Sequence, residues 1–144
     1  MKFWHIGILT QDIDETLCFL CAPDGGDRDK WAVFEIEFPA DEMVTGDGGK
    51  LRAAFGRVGG IVYELLQPLD SGSYHARQLE IRGSGFHHCA YICEDDMDKT
   101  IAAFLEKGGK IVWEARHGDE HACYVDINGT VLEIINCCPF MPEE

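Results

Sequence analysis

Two stretches of this chain repeat one pattern: residues 5–20 read HIGILTQDIDETLCFL, and residues 88–105 read HCAYICEDDMDKTIAAFL. With one extra residue in the second copy, Asp12 aligns with Asp96. The apolar residues that follow each aspartate recur at i, i+4, i+7 and i+8, which is the spacing of a helix with one buried face. Each aspartate also stands where a helix N-cap is expected. The chain is therefore predicted to contain two copies of one structural unit.

Each predicted helix is flanked by strands in the same order. The strand before it covers residues 3–9 in one copy and 86–92 in the other, and both read aromatic, histidine, small, aliphatic along one face. Two strands after it form a hairpin around Gly59-Gly60 or Asn128-Gly129, dipeptides that supply the positive φ of a tight turn. One more strand in each copy completes a β-α-β-β-β order, over residues 32–38 and 110–113.

The repeat divides the chain into a first module, a linker and a second module, over residues 1–68, 69–84 and 85–140. The 144 residues suit a single domain in which the two modules share a core. A short helix is predicted in the linker, near residues 75–81. The first module's helix is expected to end at Pro23 and the second module's helix at Gly108.

The composition is strongly acidic, with 26 aspartates and glutamates against 12 lysines and arginines and a net charge of −14. Such a surface repels phosphate backbones and anionic lipid, so binding to nucleic acid or to a membrane is not expected. No apolar run approaches the roughly 18 residues of a membrane-spanning helix. Seven cysteines without a recognisable export signal predict reduced thiols and a cytoplasmic location.

Four polar residues interrupt the apolar faces of their strands: His5 and His88 on the first strand of each copy, and Glu64 and Glu133 on the last. A buried carboxylate needs a cation, a metal or a hydrogen-bond donor, or else it takes up a proton. If the copies pair about a pseudo-twofold axis, two imidazoles and two carboxylates converge. This set favours a divalent Ni, Co, Mn, Fe or Zn ion. Taken singly, each residue could instead be a hydrogen-bonded core histidine or a solvent-facing strand glutamate.

Other polar residues are expected to be structural. Three histidines are expected in loops or at exposed strand ends: His75, His117 and His121. Cys18 and Cys21 have Cys-x-x-Cys spacing but fall late in a predicted helix, where the helix dipole does not lower a thiol pKa. Arg116 could meet an anionic group of a substrate.

At these residues the chain resembles the vicinal oxygen chelate superfamily, which includes glyoxalase I, methylmalonyl-CoA epimerase, extradiol dioxygenases and bleomycin-resistance proteins. YELLQPL at residues 63–69, followed by GSGFHH at residues 83–88, resembles methylmalonyl-CoA epimerase-like proteins in particular. The resemblance implies an α+β fold, in which two paired βαβββ modules form a curled mixed sheet around a metal or ligand cavity. It implies that His87 points to the opposite face from His88. It places the metal ligands at His5, Glu64, His88 and Glu133.

The resemblance also implies a divalent-metal-dependent isomerase, epimerase or lyase that stabilises the enolate of a small 2-oxo or acyl-thioester substrate. Glu64 or Glu133 would hold the metal or detach to act as the general base. Glu35 and Glu37 are weaker candidates for the base. The strand position that carries the epimerase's candidate base falls near Arg52 in this chain.

Three alternatives stay open. A glyoxalase I-like lactoylglutathione lyase is one, although the arginine that helps to hold glutathione in that enzyme is missing near Leu9. A non-catalytic, bleomycin-resistance-like protein that binds a small molecule is another, and the acidic composition suits a cationic ligand. An extradiol dioxygenase is the third, but a second carboxylate at Glu64 would crowd its two-histidine, one-carboxylate iron site. A homodimer is expected in each case, since cavities in this superfamily are often completed by dimerisation.

Overall fold

The structure is a computed structural model that describes residues 1–21 and 26–142. These residues form three α-helices and nine strands. The helices are α1 (Ile13–Cys21), α2 (Tyr74–Arg82) and α3 (Met97–Glu106). The strands are β1 (Lys2–Leu9), β2 (Ala32–Glu37), β3 (Met43–Thr45), β4 (Lys50–Val58), β5 (Ile61–Pro68), β6 (Gly85–Ile92), β7 (Lys110–His117), β8 (Glu120–Ile127) and β9 (Thr130–Ile135). None of the described helices is long and apolar enough to cross a membrane.

All nine strands belong to one mixed sheet, in the order β2-β4-β5-β1-β6-β9-β8-β7-β3. At its centre β1 and β6 pair antiparallel, while β5 runs parallel to β1 and β9 runs parallel to β6. The two halves of the sheet therefore repeat one arrangement on either side of the β1–β6 pair. The sheet curls into a half-barrel around a cavity. The predicted α+β fold with paired βαβββ modules is confirmed.

The helices α1 and α3 begin as predicted. Asp12 Oδ1 accepts a hydrogen bond from the Glu15 backbone N–H, and Asp96 Oδ1 accepts one from that of Lys99, both at 3.1 Å. These bonds satisfy backbone donors that the first turn of a helix leaves free. The predicted end of α1, at Pro23, lies outside the described residues. Helix α3 ends at Glu106, just before Gly108, as predicted.

The apolar sides of α1 and α3 cover the outer face of the sheet. Ile13 and Leu17 of α1 pack with Ala54 and Leu65, and Ile101 of α3 packs in an equivalent cluster on the second half. Side chains alternate along a strand, so the neighbours of these core residues face the inner side. Burial on the outer face thus leaves the inner face free to form the cavity.

The strand β3 was not predicted. It pairs antiparallel with β7 and closes one edge of the sheet. Its three residues are too few to show the alternation by which a strand is recognised from sequence. The strand β7 is also longer than predicted and reaches His117. The linker helix was predicted near residues 75–81 and is present as α2, capped by the Ser73 hydroxyl, which accepts from the Ala76 N–H.

Removing the cap of α3 should destabilise the protein. Asp96→Ala is expected to lower the free energy of unfolding by about 1 kcal/mol, because the Lys99 N–H loses its acceptor. Urea denaturation followed by circular dichroism measures the change. Asp96→Asn is the matched control, since its amide oxygen can accept the same bond and stability should be largely kept. Equal losses in the two variants would show that charge, not capping, is responsible.

Candidate metal centre

Bulges in the central strand pair set the direction of the two strand histidines. On β1, Phe3 pairs with Tyr91 and His5 pairs with Ala90, so that Trp4 is an extra residue. An extra residue shifts the alternation of side chains along a strand. Trp4 and His5 are consequently both buried, whereas Phe3 is 46% exposed. Phe3 had been expected to share the buried face of His5, and the bulge is the reason that it does not.

The strand β6 has an equivalent bulge. Gly7 pairs with His88 and Ile8 pairs with Phe86, so that His87 is an extra residue. His87 and His88 are both buried, and Phe86 is 53% exposed instead of sharing the face of His88. The prediction that His87 points to the opposite face from His88 is wrong. The Nδ1 atoms of the two rings lie 2.9 Å apart.

Two adjacent rows across the sheet carry the four predicted ligands. The first row consists of Glu64, Gly7 and His88, and the second of His5, Ala90 and Glu133. In each row a small residue separates a carboxylate from an imidazole. At Gly7 a Cβ atom would lie 2.0 Å from Cε1 of His88, so the His88 ring occupies the space that any other side chain would fill.

The four ligand atoms converge on one point. Nε2 of His5 lies 3.1 Å from Glu64 Oε2 and 3.3 Å from Glu133 Oε2. Nε2 of His88 lies 3.3 Å from each of these oxygens, and the two Nε2 atoms are 3.1 Å apart. Ligand atoms about 2.0–2.2 Å from a shared ion are roughly 3 Å from one another. The four residues, all buried, could therefore hold one metal ion.

Unsatisfied polar atoms in this set also fit a metal. Oε2 of Glu64 and Oε2 of Glu133 are buried and have no well-directed hydrogen bond, although Nε2 of His5 lies 3.1 Å from the first and 3.3 Å from the second. A buried carboxylate oxygen without a partner is costly, and coordination to a cation removes that cost. Two imidazole nitrogens and two carboxylate oxygens suit a first-row divalent ion better than a soft ion that prefers thiolates.

The carboxylates stabilise the charged form of the two imidazoles, and the imidazoles stabilise the charged form of the carboxylates. Burial lowers the pKa of His5, but the carboxylates of Glu64 and Glu133 outweigh it and raise the pKa to about 9. The pKa of His88 is raised for the same reason. Burial opposes ionisation of Glu64 and Glu133, yet the two imidazoles outweigh it and keep the pKa values of both glutamates below the usual range. Because imidazole binds a metal in its neutral form, metal binding would release these protons.

The two carboxylates face a cavity of about 490 Å³. Its lining includes aromatic side chains from both halves of the sheet, among them Trp4, Phe34, Phe55, Trp113 and Tyr124. Glu64 and Glu133 line it, whereas His5 and His88 are fully buried and do not. The imidazoles therefore lie behind the convergence point and the carboxylates lie between that point and the cavity.

A buried two-histidine, two-carboxylate set beneath a curled sheet of repeated modules agrees with one known family. The sequence model described as the Glyoxalase/Bleomycin resistance protein/Dioxygenase superfamily matches residues 4–125. The chain belongs to this superfamily. The matched range includes His5, Glu64 and His88, while Glu133 follows it. The resemblance inferred from the sequence is confirmed. No curated protein matches the sequence.

Several solved structures share the fold of this chain. A hypothetical protein from Bacillus halodurans C-125 has a TM-score of 0.65 at 21% identity, over 97% of this chain and 96% of that chain. Methylmalonyl-CoA epimerase from Mycobacterium tuberculosis has a TM-score of 0.64 at 21% identity, over 96% and 89%. A Streptomyces coelicolor methylmalonyl-CoA epimerase variant in complex with 2-nitronate-propionyl-CoA has a TM-score of 0.62 at 25% identity, over 94% and 93%.

A line of hydrogen bonds supports His88 in this superfamily member. Behind the contact between the His88 and His87 rings, Nε2 of His87 lies 3.1 Å from the Tyr74 hydroxyl. Burial and the neighbouring His88 lower the pKa of His87 to about 2, so the ring is neutral. With Nε2 of His88 turned to a metal, its Nδ1–H would donate to His87, and such bonds orient metal-bound imidazoles. The sequence analysis missed both supporting residues, although the His87-His88 pair was a signal.

Two further histidines are not on the surface, where they were expected. His75 and His121 are 2% and 5% exposed. Nε2 of His75 lies 2.9 Å from the Tyr124 hydroxyl in the cavity lining, and Nε2 of His121 lies 2.7 Å from Oε1 of Glu114. His121 alternates on β8 with the buried residues Cys123 and Val125, a signal that could have revealed its burial. His75 lies in the first turn of α2, where no such alternation is available. His117 is exposed, as expected.

The alternative general bases face away from the cavity. Glu35 and Glu37 alternate on β2 with Phe34 and Ile36, and only the latter two line the cavity. Both glutamates are exposed. The expectation that either could reach a substrate as general base is wrong, because the alternation of the strand turns the two carboxylates outward.

Neither arginine considered for the site lines the cavity. Nη1 of Arg52 lies 2.9 Å from Asp14 Oδ2, so its guanidinium contacts helix α1. Nη2 of Arg116 lies 3.0 Å from Asp98 Oδ1 of helix α3. The prediction that Arg116 meets an anionic substrate group is therefore wrong. Within the described part of the cavity lining, the carboxylates beside the convergence point are those of Glu64 and Glu133.

A side chain at Gly7 should disturb the centre. Gly7→Ala is expected to lower the free energy of unfolding by about 1–3 kcal/mol, because the new Cβ overlaps the buried His88 ring. Urea denaturation measures the loss. Gly72→Ala is the matched control, since a Cβ atom there meets nothing within 4 Å. A Gly7→Ala protein as stable as the parent would contradict this packing of His88.

Proposed function

We propose that this chain is a divalent-metal-dependent enzyme, an isomerase, epimerase or lyase that stabilises the enolate of a small 2-oxo or acyl-thioester substrate. One observation carries the proposal: four buried ligand atoms, two nitrogens and two oxygens, converge beneath a cavity of ligand size. Membership of a superfamily with many enzymes supports it.

In the proposed mechanism His5, His88, Glu64 and Glu133 hold the ion. A divalent metal there supplies a Lewis acid that lowers the energy of an oxyanion formed from the substrate carbonyl. The two imidazoles lie behind the convergence point and have no access to the cavity. Substrate must therefore approach from the side of the carboxylates, which makes the histidines permanent ligands in this proposal.

The glutamates are the proposed proton-transfer groups. Either carboxylate would take the proton α to the substrate carbonyl, since both face the cavity. Return of that proton to the opposite face inverts the carbon, as in an epimerase. Return to the neighbouring carbon isomerises the substrate. The twofold relation of Glu64 and Glu133 places one carboxylate from each half of the sheet beside the same point, which suits transfer on either side of a bound substrate.

A second candidate is a non-catalytic protein that binds a small molecule. The observation that favours it is the cavity itself, whose aromatic walls and acidic groups suit a flat cationic ligand. Four converging metal-type ligands have no role in such a protein. Metal content therefore separates the two candidates. The division into two modules and a linker, the homodimer and the cytoplasmic location stay predictions.

The metal is the first test. Purified, untagged protein is expected to contain about one divalent ion per chain by elemental analysis, and His5→Ala/His88→Ala is expected to lose it. His117→Ala is the matched control, because this exposed histidine is not part of the centre. If the protein takes up no Ni, Co, Mn, Fe or Zn on incubation, the enzyme proposal fails and the binding protein is favoured.

Proton transfer is the second test. Metal-loaded protein in D₂O is expected to exchange the α-proton of a substrate in a panel of 2-oxo compounds and acyl thioesters, methylmalonyl-CoA included. Glu64→Gln or Glu133→Gln should slow this exchange about 10²–10⁴-fold, the usual contribution of a general base. Glu35→Gln, outside the cavity, should exchange at the parent rate. Full exchange in both of the first two variants would rule out these residues as bases.

A further inference from the structure

We infer that the natural substrate of this site carries its chelating oxygens on an uncharged, flat aromatic body, and that it is not a conjugate of a polyanionic carrier such as CoA. The inference rests on the proposed function and adds to it the class of substrate. It is drawn from the walls and the charged groups of the cavity.

Aromatic rings flank the convergence point on two sides. Phe55 is in register with Glu64, and Tyr124 is in register with Glu133. The Phe55 ring lies edge-on to the His5 ring with centroids 5.3 Å apart, and the Tyr124 ring lies 5.0 Å from that of His88. The twofold relation of the modules thus places one aromatic ring beside each candidate metal ligand pair.

Each of these rings continues into a larger wall. On the first side Phe55 stacks with Trp4 at 5.7 Å and with Phe34 at 6.1 Å, and Phe140 packs at 5.5 Å from it. On the second side Tyr124 lies 4.7 Å from Trp113. Aromatic walls of this kind favour flat, apolar or aromatic ligands through area burial and ring–ring contacts.

The charged groups around the cavity are unfavourable to a polyanion. Its described lining contains four glutamates and no lysine or arginine: Glu42, Glu64, Glu120 and Glu133. Two imidazoles and a divalent ion would balance the inner pair, and Oε1 of Glu42 lies 2.6 Å from Nδ1 of His117, which also lines the cavity. Glu120 lies outside both of these sets. The Glu120 carboxylate repels phosphate and carboxylate groups of an approaching ligand, and no lysine or arginine of the described lining offsets this. Uncharged aromatic compounds meet no such barrier.

A chelator series tests the inference on the metal-loaded protein. Acetohydroxamate, benzohydroxamate and 2-naphthohydroxamate chelate through the same two oxygens and differ in aromatic area. Isothermal titration calorimetry is expected to show about tenfold or greater tightening of Kd from the methyl to the naphthyl compound. 2-Nitronate-propionyl-CoA is expected to bind at least about tenfold more weakly than 2-naphthohydroxamate.

Two pairs of variants test whether the aromatic wall causes the naphthyl-over-methyl preference and whether Glu120 causes the weak binding of the CoA nitronate. Phe34→Ala removes an aromatic ring of the wall and should reduce the naphthyl-over-methyl preference at least about threefold. Val33→Ala, its neighbour on the other face of β2, should leave the preference unchanged. Glu120→Gln should tighten binding of the CoA nitronate, and Glu37→Gln, which lies outside the cavity, should not.

The outcomes separate the inference from the function on which it rests. Metal uptake and acetohydroxamate binding without any gain from the aryl groups would overturn the inference and leave the proposed enzyme standing. Tighter binding of the CoA nitronate than of the naphthyl compound would also overturn it and favour an acyl-CoA substrate. Failure to take up metal would refute the proposed function itself.

Discussion

The burial of two carboxylates against two imidazoles is the constraint on which the rest of this structure depends. Such groups can leave water only if each finds an opposite charge or a cation at close range. Here the partners come from both halves of the chain and meet at the β1–β6 pair. The bulges at Trp4 and His87, and the small residues Gly7 and Ala90 between the ligands, all serve to bring four side-chain tips within a few ångströms of one point.

The two faces of the curled sheet contribute differently: the outer face packs against helices and the inner face forms the cavity. Helices α1 and α3 bury aliphatic side chains on the outer face, where they supply hydrophobic stabilisation. The inner face places its large rings and its carboxylates around the cavity. Because successive residues of a strand serve opposite faces, stability and ligand binding are carried by alternate positions of the same strands.

The relation to solved superfamily structures fits this division. Methylmalonyl-CoA epimerases share the fold over nearly the whole chain, at identities of about a fifth to a quarter. A shared fold does not transfer a substrate, because specificity depends on the side chains that line the site. In this chain Arg52 of β4 contacts helix α1, and the cavity lining is largely aromatic and acidic. We therefore place the likeness to the epimerases in the fold and the difference in the side chains of the pocket.

Much of this fold and its centre could be predicted from sequence, because the signals are local and occur twice. Each helix cap, each hairpin glycine pair and each polar residue on an apolar strand can be recognised from the few residues around it. The repeat then relates one half of the chain to the other. The bulges, the strand β3 and the burial of His75 and His87 were not visible. Each depends on contacts between residues far apart in the chain. Strand pairing sets which neighbours a side chain meets, and a single extra residue in a strand reverses the face that every later side chain takes.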